Sequence, residues 1–535
     1  MSGQKKLWWT LLAMAMILSF STATASAQGG GTLIGGFDVG PGGLPQTVPW
    51  VQTAGNTWLS KIWSPLVSYN EDVSGLAPQL AVAWEANEDN TIWTFTLREG
   101  VVWHDGEPFT AKDVKFTFDF VLSPGSTFSG PPQAAALTIL GARAYNAGEA
   151  AELAGVRVVD DLTVEFELEA PNPRFPFKLV DSYILPAHAV NFAPSEIATT
   201  DWWFTNPVGT GPFMHEEFVR DQFWAVVPNP NYWNGAPRLD RLINRYFEDE
   251  TAAILALEAG EIHFTYASGD VALQLGEKGY TLHQGPSGVT NYFIFNYRNP
   301  VFQDVRVRQA FLYAIDRQAI AEVILGGTAQ VVPCLGAFPN MWPAEYNDYA
   351  YNPDLARQLL AEAGWQQTEP IELVTYYSSQ FHMDAMAAQQ QYLADVGINV
   401  VPRVDADGYN AYFYTGEGWQ ISYRGLGNNP GNYPFQFYET GGYPNAVGDT
   451  GTLMGQSFPE LDALIAAARQ EADPDRYTEL LQEICAFQNE NAIEAYMWTA
   501  LRFGVASTDL VDFYWFPAPG GGPYEDHPEL WAVAE

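Results

Sequence analysis

The residues that could carry out catalysis are present without a recognisable catalytic arrangement. The chain has 63 acidic residues, so nearby carboxylates such as Asp405 and Asp407 are expected by chance. A glycosidase needs two carboxylates that converge across a cleft, which closeness in sequence does not indicate. Neither the G-x-S-x-G pattern of serine hydrolases nor the H-E-x-x-H pattern of zinc proteases occurs. The sequence therefore disfavours a secreted hydrolase and predicts a protein that is not an enzyme.

Metal-binding patterns are also incomplete. The seven histidines are scattered, and none are paired at metal-ligand spacing. Residues 405–408 resemble the start of a calcium loop but lack the later ligands, including the acidic closing residue, so we interpret them as a turn. We therefore predict no metal and no cofactor.

Cys334 and Cys485 are the two cysteines of the chain. In an oxidising compartment a disulfide between them would persist, and two cysteines allow one pairing. Their spacing does not show that the bond forms. A disulfide and two buried thiols that behave as small apolar residues stay open as alternatives.

The N-terminus has the pattern of a cleavable export signal. Lys5 and Lys6 precede an apolar run over residues 7–20, and Ala25-Ser26-Ala27 supplies an A-x-A cleavage signal. We predict a signal peptide over residues 1–27, with an uncleaved anchor as the alternative. No cysteine follows the apolar run, so a lipid-anchored protein is not expected. The predicted location is the periplasm or the secreted space.

Length and charge restrict the classes of partner. At 535 residues the chain exceeds what one hydrophobic core normally serves, so we expect two or three lobes. The formal net charge of −38 disfavours binding to nucleic acid or to an anionic membrane surface. It is consistent with solubility outside the cell, and we expect a monomer.

Hydrophobic periodicity predicts β-hairpins in the first part of the chain and an α/β region in the second. Trp93, Phe95 and Leu97 alternate with polar residues, as do the apolar residues of 162–168, which is typical of half-buried strands. Thr110 and Asp113 have the spacing of a helix capping box. The later predicted elements are a strand over 291–296, a helix from Asp304 to Gly326-Gly327, a helix from Asn352 to Gly364, a strand over 371–377, a helix over 382–395, a strand over 398–404, a long loop over 427–456 and helices over 458–492. The strand–helix–strand order favours an α/β fold with some parallel pairing.

Six segments in order resemble the family 5 extracellular solute-binding proteins. They are WTFTLREGVVWHDGEPFTAKDVKFTF (93–118), NPVGTGPF (206–213), NPNYWNGAPRL (229–239), ALEAGEI (256–262), DVRVRQAFLYAIDRQAIAEVILGG (304–327) and YNPDLARQLLAEAGW (351–365). The resemblance implies a periplasmic-binding-protein clamshell of two α/β lobes plus an extra hairpin-rich domain. It also implies an ABC importer component that encloses a small-molecule ligand in the cleft between lobes and delivers it to a membrane permease. Delivery to a sensor instead of a permease stays open.

The resemblance also implies where the lobes begin and end. The first lobe is expected to be discontinuous, over residues 28–64, 205–285 and 501–535. The inserted hairpin-rich lobe is expected over 65–204, and the α/β lobe over 286–500. Two chain crossings, near residues 286 and 500, would then form the hinge.

A loop of the α/β lobe is the predicted ligand site. In family peptide binders this loop carries an aromatic residue and then an Asp that pairs with the α-amino group of the ligand. Aligned through Pro430, the aromatic position is Tyr423, and Leu426 stands where the Asp is expected. A buried ammonium without a carboxylate partner is costly. A peptide is therefore the family default, and an oligosaccharide is the alternative.

Polar and aromatic residues beside these two positions complete the predicted site. Amide and aromatic side chains suit hydroxyl-rich ligands, and an arginine could instead bind a carboxylate or a phosphate. For each residue, a surface loop or an ordinary strand is the structural alternative. We further expect Tyr423→Ala to weaken binding with little change in stability. The predicted ligand-binding residues are Tyr423, Arg424, Asn428, Asn429, Trp419, Asn291 and Tyr292.

Overall fold

The computed structural model describes most of the chain beyond the predicted signal peptide. Residues 1–27, and with them the predicted export signal, lie outside the described part. The described residues are 30–38, 56–70, 75–128, 136–180, 182–378, 380–405, 418–428, 431, 433–440, 456–515 and 525–534.

Strands and helices alternate irregularly along these residues. The strands are β1 (Thr32–Asp38), β2 (Val67–Tyr69), β3 (Leu76–Pro78), β4 (Ala81–Ala86), β5 (Ile92–Leu97), β6 (Val156–Asp160), β7 (Thr163–Glu167), β8 (Phe213–Val219), β9 (Phe223–Pro228), β10 (Arg241–Phe247), β11 (Phe264–Ala267), β12 (Thr281–Phe295), β13 (Ala329–Val331), β14 (Ile371–Thr375), β15 (Val400–Val404), β16 (Ile421–Gly427), β17 (Ala495–Ala506), β18 (Leu510–Val511), β19 (Tyr514–Trp515), β20 (Glu525–Asp526) and β21 (Ala532–Val533). The helices are α1 (Asn56–Ile62), α2 (Ala111–Val121), α3 (Ala142–Asn146), α4 (Trp202–Thr205), α5 (Glu250–Glu258), α6 (Gly269–Glu277), α7 (Val305–Ala314), α8 (Arg317–Ala319), α9 (Pro353–Glu362), α10 (Gln380–Asp395), α11 (Pro459–Gln470) and α12 (Pro474–Glu490). Short 3₁₀ segments include Phe175–Leu179 and Phe435–Phe437. Among the described helices, none is both long and apolar enough to cross a membrane.

Eleven of the described strands form one mixed sheet. Its order is β15-β14-β16-β12-β17-β11-β1-β10-β9-β8, and β13 pairs with β17 beside this path. β14 is parallel to both β15 and β16, as the strand–helix–strand pattern of the sequence predicts. The predicted hairpins of the first part of the chain form a separate four-stranded antiparallel sheet, β4-β5-β7-β6.

Two long strands, β12 and β17, run through both halves of the large sheet. Residues 281–286 of β12 pair with residues 501–506 of β17, and pairing resumes between Thr290 and Thr499 after a shift of register. We refer to residues 290–500 as the α/β half and to residues 30–286 and 501–534 as the mixed half. A register shift interrupts the hydrogen-bond ladder, so the chain can bend there more easily than elsewhere in the sheet.

The buried apolar residues divide at the same place. One cluster contains residues between Tyr292 and Trp498. A second extends from Leu33 to Leu242 and includes Ala506, Leu510 and Trp531. A third, smaller cluster draws on residues 247–275 and on Phe503 and Val505. The hairpin-rich residues share the second cluster with Leu33 of β1 and with Leu59 and Ile62 of α1, so they are packed as one unit. The three predicted lobe boundaries stay a prediction.

Local sequence patterns predict several helices and strands correctly and misplace the ends of others. The capping box is confirmed, because Thr110 accepts a hydrogen bond from the Lys112 amide and Asp113 accepts one from the Thr110 amide. The helix that begins after Asp304 is interrupted after Ala314, which the sequence did not predict, and helical structure resumes over Arg317–Ala319 and Ile320–Ile324 and stops before Gly326-Gly327. Asp316 accepts a hydrogen bond from the Ala319 amide and starts a new helical segment there, since a side-chain acceptor competes with the continuing helix.

Candidate functional site

The carboxyl ends of β14, β15 and β16 lie at one edge of the α/β half. These strands are parallel and end at Thr375, Val404 and Gly427. Gly427 pairs with Val289, which lies in the segment where the register of β12 shifts. In open α/β sheets, ligands bind beyond the carboxyl ends of the strands. This edge, which lies next to the connection between the halves, is therefore the candidate ligand site.

Two tyrosines that follow β14 form an aromatic wall at this edge. The Tyr376 hydroxyl lies 3.3 Å from the amide nitrogen of Gly425, from which it accepts a hydrogen bond. The Tyr377 ring stacks on the His382 ring, with 3.6 Å between centroids and 16° between planes. A Cβ at position 425 would overlap the Tyr377 hydroxyl, so this close approach requires glycine. The strand predicted over residues 371–377 includes both tyrosines, whereas β14 ends at Thr375. Two consecutive aromatic residues break the alternation of a half-buried strand. This pattern was the sequence signal that could have placed the end of β14 before them.

Tyr423 lies behind this wall, inside the core. Its side chain is 0% exposed, and its ring centroid lies 5.6 Å from that of Phe293 and 5.5 Å from that of Tyr377. The Tyr423 hydroxyl is 3.4 Å from Nδ1 of His382. Burial raises the pKa of Tyr423 well above its usual value and lowers that of His382 to about 4. Both side chains are therefore neutral at physiological pH, and their contacts with each other are those of packed rings.

Arg424 lies on the opposite face of β16, because successive side chains of a strand alternate. It pairs in register with Tyr292, and its guanidinium carbon is 5.8 Å from the Phe437 ring centroid. Nearby, an oxygen of the buried Glu494 accepts a 2.7 Å hydrogen bond from the Tyr438 hydroxyl. Burial raises the pKa of Glu494 to about 8, an effect that the Arg424 charge opposes. The structure thus places Arg424 beside an internal carboxylate.

Asn428 fastens the end of β16 to its surroundings. Its Oδ1 accepts a 2.7 Å hydrogen bond from the Ala337 amide, and its Nδ2 donates to Thr290 Oγ1 and to the Leu426 carbonyl, each at 3.2 Å. Both the oxygen and the nitrogen of this side-chain amide therefore have partners within the protein. The neighbouring Asn429 lies outside the described residues.

Trp419 lies at the far end of the same strand. It lies eight positions before Gly427, which corresponds to roughly 25 Å of extended chain. Its side chain is 4% exposed, and its carbonyl accepts a 2.9 Å hydrogen bond from Nδ2 of Asn296. Trp419 and the carboxyl-end edge are therefore not brought together.

Asn291 and Leu426 lie at the candidate edge on neighbouring strands. Asn291 pairs with Gly425 on one side and with Trp498 on the other. It is 3% exposed, and within the described ranges its Oδ1 has no hydrogen-bond partner. Leu426 is half-buried and pairs with Thr290. An orphaned acceptor is costly to bury, so Asn291 is suited to receive a donor from a ligand. Tyr292 faces away and stacks on Tyr496.

Cys334 and Cys485 are joined by a disulfide in the structure, with 5.3 Å between their Cα atoms. Beside the bond, the Leu335 amide donates to Oε1 of Gln488, which also accepts from the Tyr433 hydroxyl. The disulfide thus fixes the segment after β13 to α12. Among the described residues no group of three acidic, histidine or cysteine side chains could hold a metal ion.

Comparison with known proteins identifies relatives across the chain. The profile of the bacterial extracellular solute-binding proteins, family 5 (middle region), matches residues 75–448. A Brucella ovis protein assigned as an ABC transporter peptide-binding protein is 39% identical over 527 residues, which is 96% of each chain.

Solved structures share the fold at lower identity. An ABC transporter substrate-binding protein of Listeria monocytogenes has a TM-score of 0.79 at 22% identity, covering 95% of this chain and 100% of its own. The oligopeptide-binding protein of Bacillus subtilis, solved with a nonapeptide, has a TM-score of 0.72 at 21% identity, covering 94% of this chain and 99% of its own. These similarities confirm the predicted clamshell fold.

Proposed function

The chain belongs to the bacterial extracellular solute-binding proteins of family 5, and we propose that it is the extracytoplasmic peptide-binding component of an ABC importer. The observation that carries this proposal is the 39% identity, over 96% of both chains, to the Brucella ovis peptide-binding protein. The family consists of solute-binding proteins of transport systems. This supports the proposal that the protein binds its ligand without changing it chemically. The oligosaccharide alternative is not favoured, because the Brucella ovis relative is named as a peptide-binding protein and the Bacillus subtilis protein was solved with a nonapeptide.

We place the ligand at the carboxyl ends of β14, β15 and β16. A peptide bound there would cross the edge where Asn291 offers an acceptor and where β16 ends at Gly427. Tyr376 and Tyr377 would contact its apolar side chains, and Tyr423 would support them from behind. Arg424, Tyr292 and Trp419 stay predicted contacts that this arrangement does not require, because each is packed within the α/β half.

The remaining parts of the proposal concern location and partners. The export signal predicted over residues 1–27 would send the protein to the periplasm or the secreted space, where it would act as a monomer. A membrane permease would receive the ligand. Release of the ligand to a sensor protein would use the same cleft, and the two roles differ only in the partner.

Native mass spectrometry of the purified protein tests the class of ligand. A retained mass that fragments into amino-acid residues is expected. Hexose units in its place would establish the oligosaccharide alternative. Hydrolysis of a tryptic casein digest during incubation with the protein would contradict the assignment as a non-enzyme.

A matched pair of amide substitutions tests the location of the site. Asn291→Leu removes an orphaned acceptor, so it is expected to leave stability unchanged or higher and to weaken peptide binding about tenfold. Asn428→Leu removes three internal hydrogen bonds, so it is expected to lower stability. Titration calorimetry with the identified peptide and urea unfolding measure the two effects. Unchanged peptide affinity in Asn291→Leu would exclude this edge as the binding site.

A further inference from the structure

The two halves of the protein also touch at residues outside the strands that connect them. Arg174, in the mixed half, lies between two aromatic rings. Its guanidinium carbon is 4.0 Å from the Phe177 centroid in its own half and 3.7 Å from the Tyr477 centroid in the α/β half. Tyr477 lies on α12 and is 2% exposed. A guanidinium stacked on aromatic faces is held by electrostatic attraction and by contact area.

A second contact beside it depends on the absence of a side chain. A Cβ at Gly431, in the α/β half, would lie 2.6 Å from a Phe177 ring carbon and 2.8 Å from a Tyr69 ring carbon, both in the mixed half. Carbon atoms in van der Waals contact stay about 3.5 to 4.0 Å apart. Glycine at this position therefore allows the backbone of one half to lie directly on the rings of the other.

Cationic side chains from both halves lie near this contact. Burial, together with the charges of Arg469 and Arg174, lowers the pKa of Lys178, in the mixed half, to about 8. Arg469 belongs to the α/β half, where it forms a bidentate ion pair with Glu439 at 2.9 and 2.6 Å. Cations from the two halves thus approach each other. The stacked rings and the close fit at Gly431 are attractive contacts between the halves.

We propose that Arg174, Phe177, Tyr477 and Gly431 form a latch that is made only when the two halves close and that retains the ligand. The halves have separate cores and are joined by β12 and β17, so rotation at the register shift would separate Arg174 from Tyr477. The latch rests on the proposed function in one respect: it would retain the ligand that the protein has captured. Arg174 and Gly431 act as positioning residues, because they control the approach of the two halves.

Distance measurements between the halves test the latch. Spin labels are attached at Glu88→Cys and Ala361→Cys, which are exposed positions in the mixed and α/β halves, while the native cysteines stay in their disulfide. Electron–electron resonance then reports the ratio of closed to open molecules, with and without a tryptic casein digest as the source of peptides. The variants are Arg174→Ala, Arg174→Lys, Gly431→Ala and the double variant Gly431→Ala with Phe177→Ala.

The expected result is a closed-to-open ratio at least fivefold lower in Arg174→Ala and Gly431→Ala, with unchanged thermal unfolding. Arg174→Lys, which keeps the charge and loses the planar group, is expected to lie between Arg174→Ala and the wild type. Removing the Phe177 ring relieves only part of the overlap with an alanine at 431, because a Tyr69 ring carbon stays 2.8 Å from that Cβ, and it also removes a ring that holds Arg174, so the double variant is expected to close less than the wild type.

Other results would overturn the latch. A wild-type ratio in both single variants, or a wild type that shows only the long distance under all conditions, contradicts it. A ratio that differs between variants but does not respond to the digest supports the latch and contradicts peptide capture. The two proposals can therefore fail separately.

Discussion

Replacement of Tyr423 separates its role in packing from its role in binding. The sequence alone predicted that Tyr423→Ala would spare stability. The structure predicts the opposite, because the side chain is 0% exposed and its ring contacts Phe293, Tyr377 and Trp498. Truncation of a buried aromatic residue to alanine costs about 3–5 kcal/mol, from lost burial and from the cavity that remains.

Tyr423→Phe is the matched control for this substitution. It keeps the ring and removes a hydroxyl whose hydrogen bond to His382 Nδ1 is long, at 3.4 Å. A typical internal hydrogen bond contributes about 1 kcal/mol, so the loss of this one is expected to be smaller. Tyr423→Phe should therefore unfold near the wild-type urea concentration, and Tyr423→Ala well below it.

Urea unfolding followed by tryptophan fluorescence measures both variants, because Trp498 lies 6.3 Å from the Tyr423 ring centroid. Wild-type stability in Tyr423→Ala would refute the placement of this ring in the core. Calorimetry with the identified ligand completes the comparison. Weaker binding by Tyr423→Phe with intact stability would show that the hydroxyl reaches the ligand, and unchanged binding would limit Tyr423 to supporting Tyr377.

Three further variants, one of them a double substitution, test the structure elsewhere. Replacing Cys334 and Cys485 by alanine is expected to lower the free energy of unfolding by up to about 5 kcal/mol, because the disulfide closes a loop of 151 residues; equal urea midpoints with and without the bond would contradict this. Burial raises the folded-state pKa of Glu494 to about 8 from an ordinary 4.5, so the folded state binds more protons between these values and stability falls as pH rises from about 4.5 to 8. Glu494→Gln should flatten that dependence in urea unfolding, and an unchanged slope would assign it to other groups. Gly209→Ala is expected to destabilise the mixed half, because a Cβ there would overlap the Ile62 carbonyl; a wild-type melting temperature would show that the turn can shift.

The family could be predicted from the sequence because its motifs are local. The NPVGTGPF segment illustrates this. Gly209 and Gly211 are needed where the backbone passes the Ile62 carbonyl, to which the Gly211 amide donates at 2.9 Å. Such close approaches fix the residue type at fixed spacing, so the fold is readable from one sequence. The hairpins and the capping box at Thr110 are readable for the same reason, since each depends on residues a few positions apart.

The end of α7 and the length of β12 required the structure. The helical pattern from Asp304 continues past Ala314, but the structure interrupts it at residues 315–316, where Asp316 caps the segment that follows. Residues 281–290 contain Gly285, Pro286 and Gly288, which disfavour a strand. They are extended because β17 lies beside them along the connection between the halves. Pairing with a partner more than 200 residues away overrides the local preference.

The sequence by itself determined the family, the α/β character of the second half and the chemical types available at the ligand loop. Tertiary structure decided which of these side chains face the candidate site. Arg424 and Tyr423 are adjacent in sequence, but one lies beside Glu494 and the other behind Tyr377, because strand side chains alternate between the faces of the sheet. The contact of Arg174 with Tyr477 joins residues 303 positions apart, and no local pattern encodes such a distance. A binding cleft between two halves exists only after both have folded, so its residues are brought together by packing.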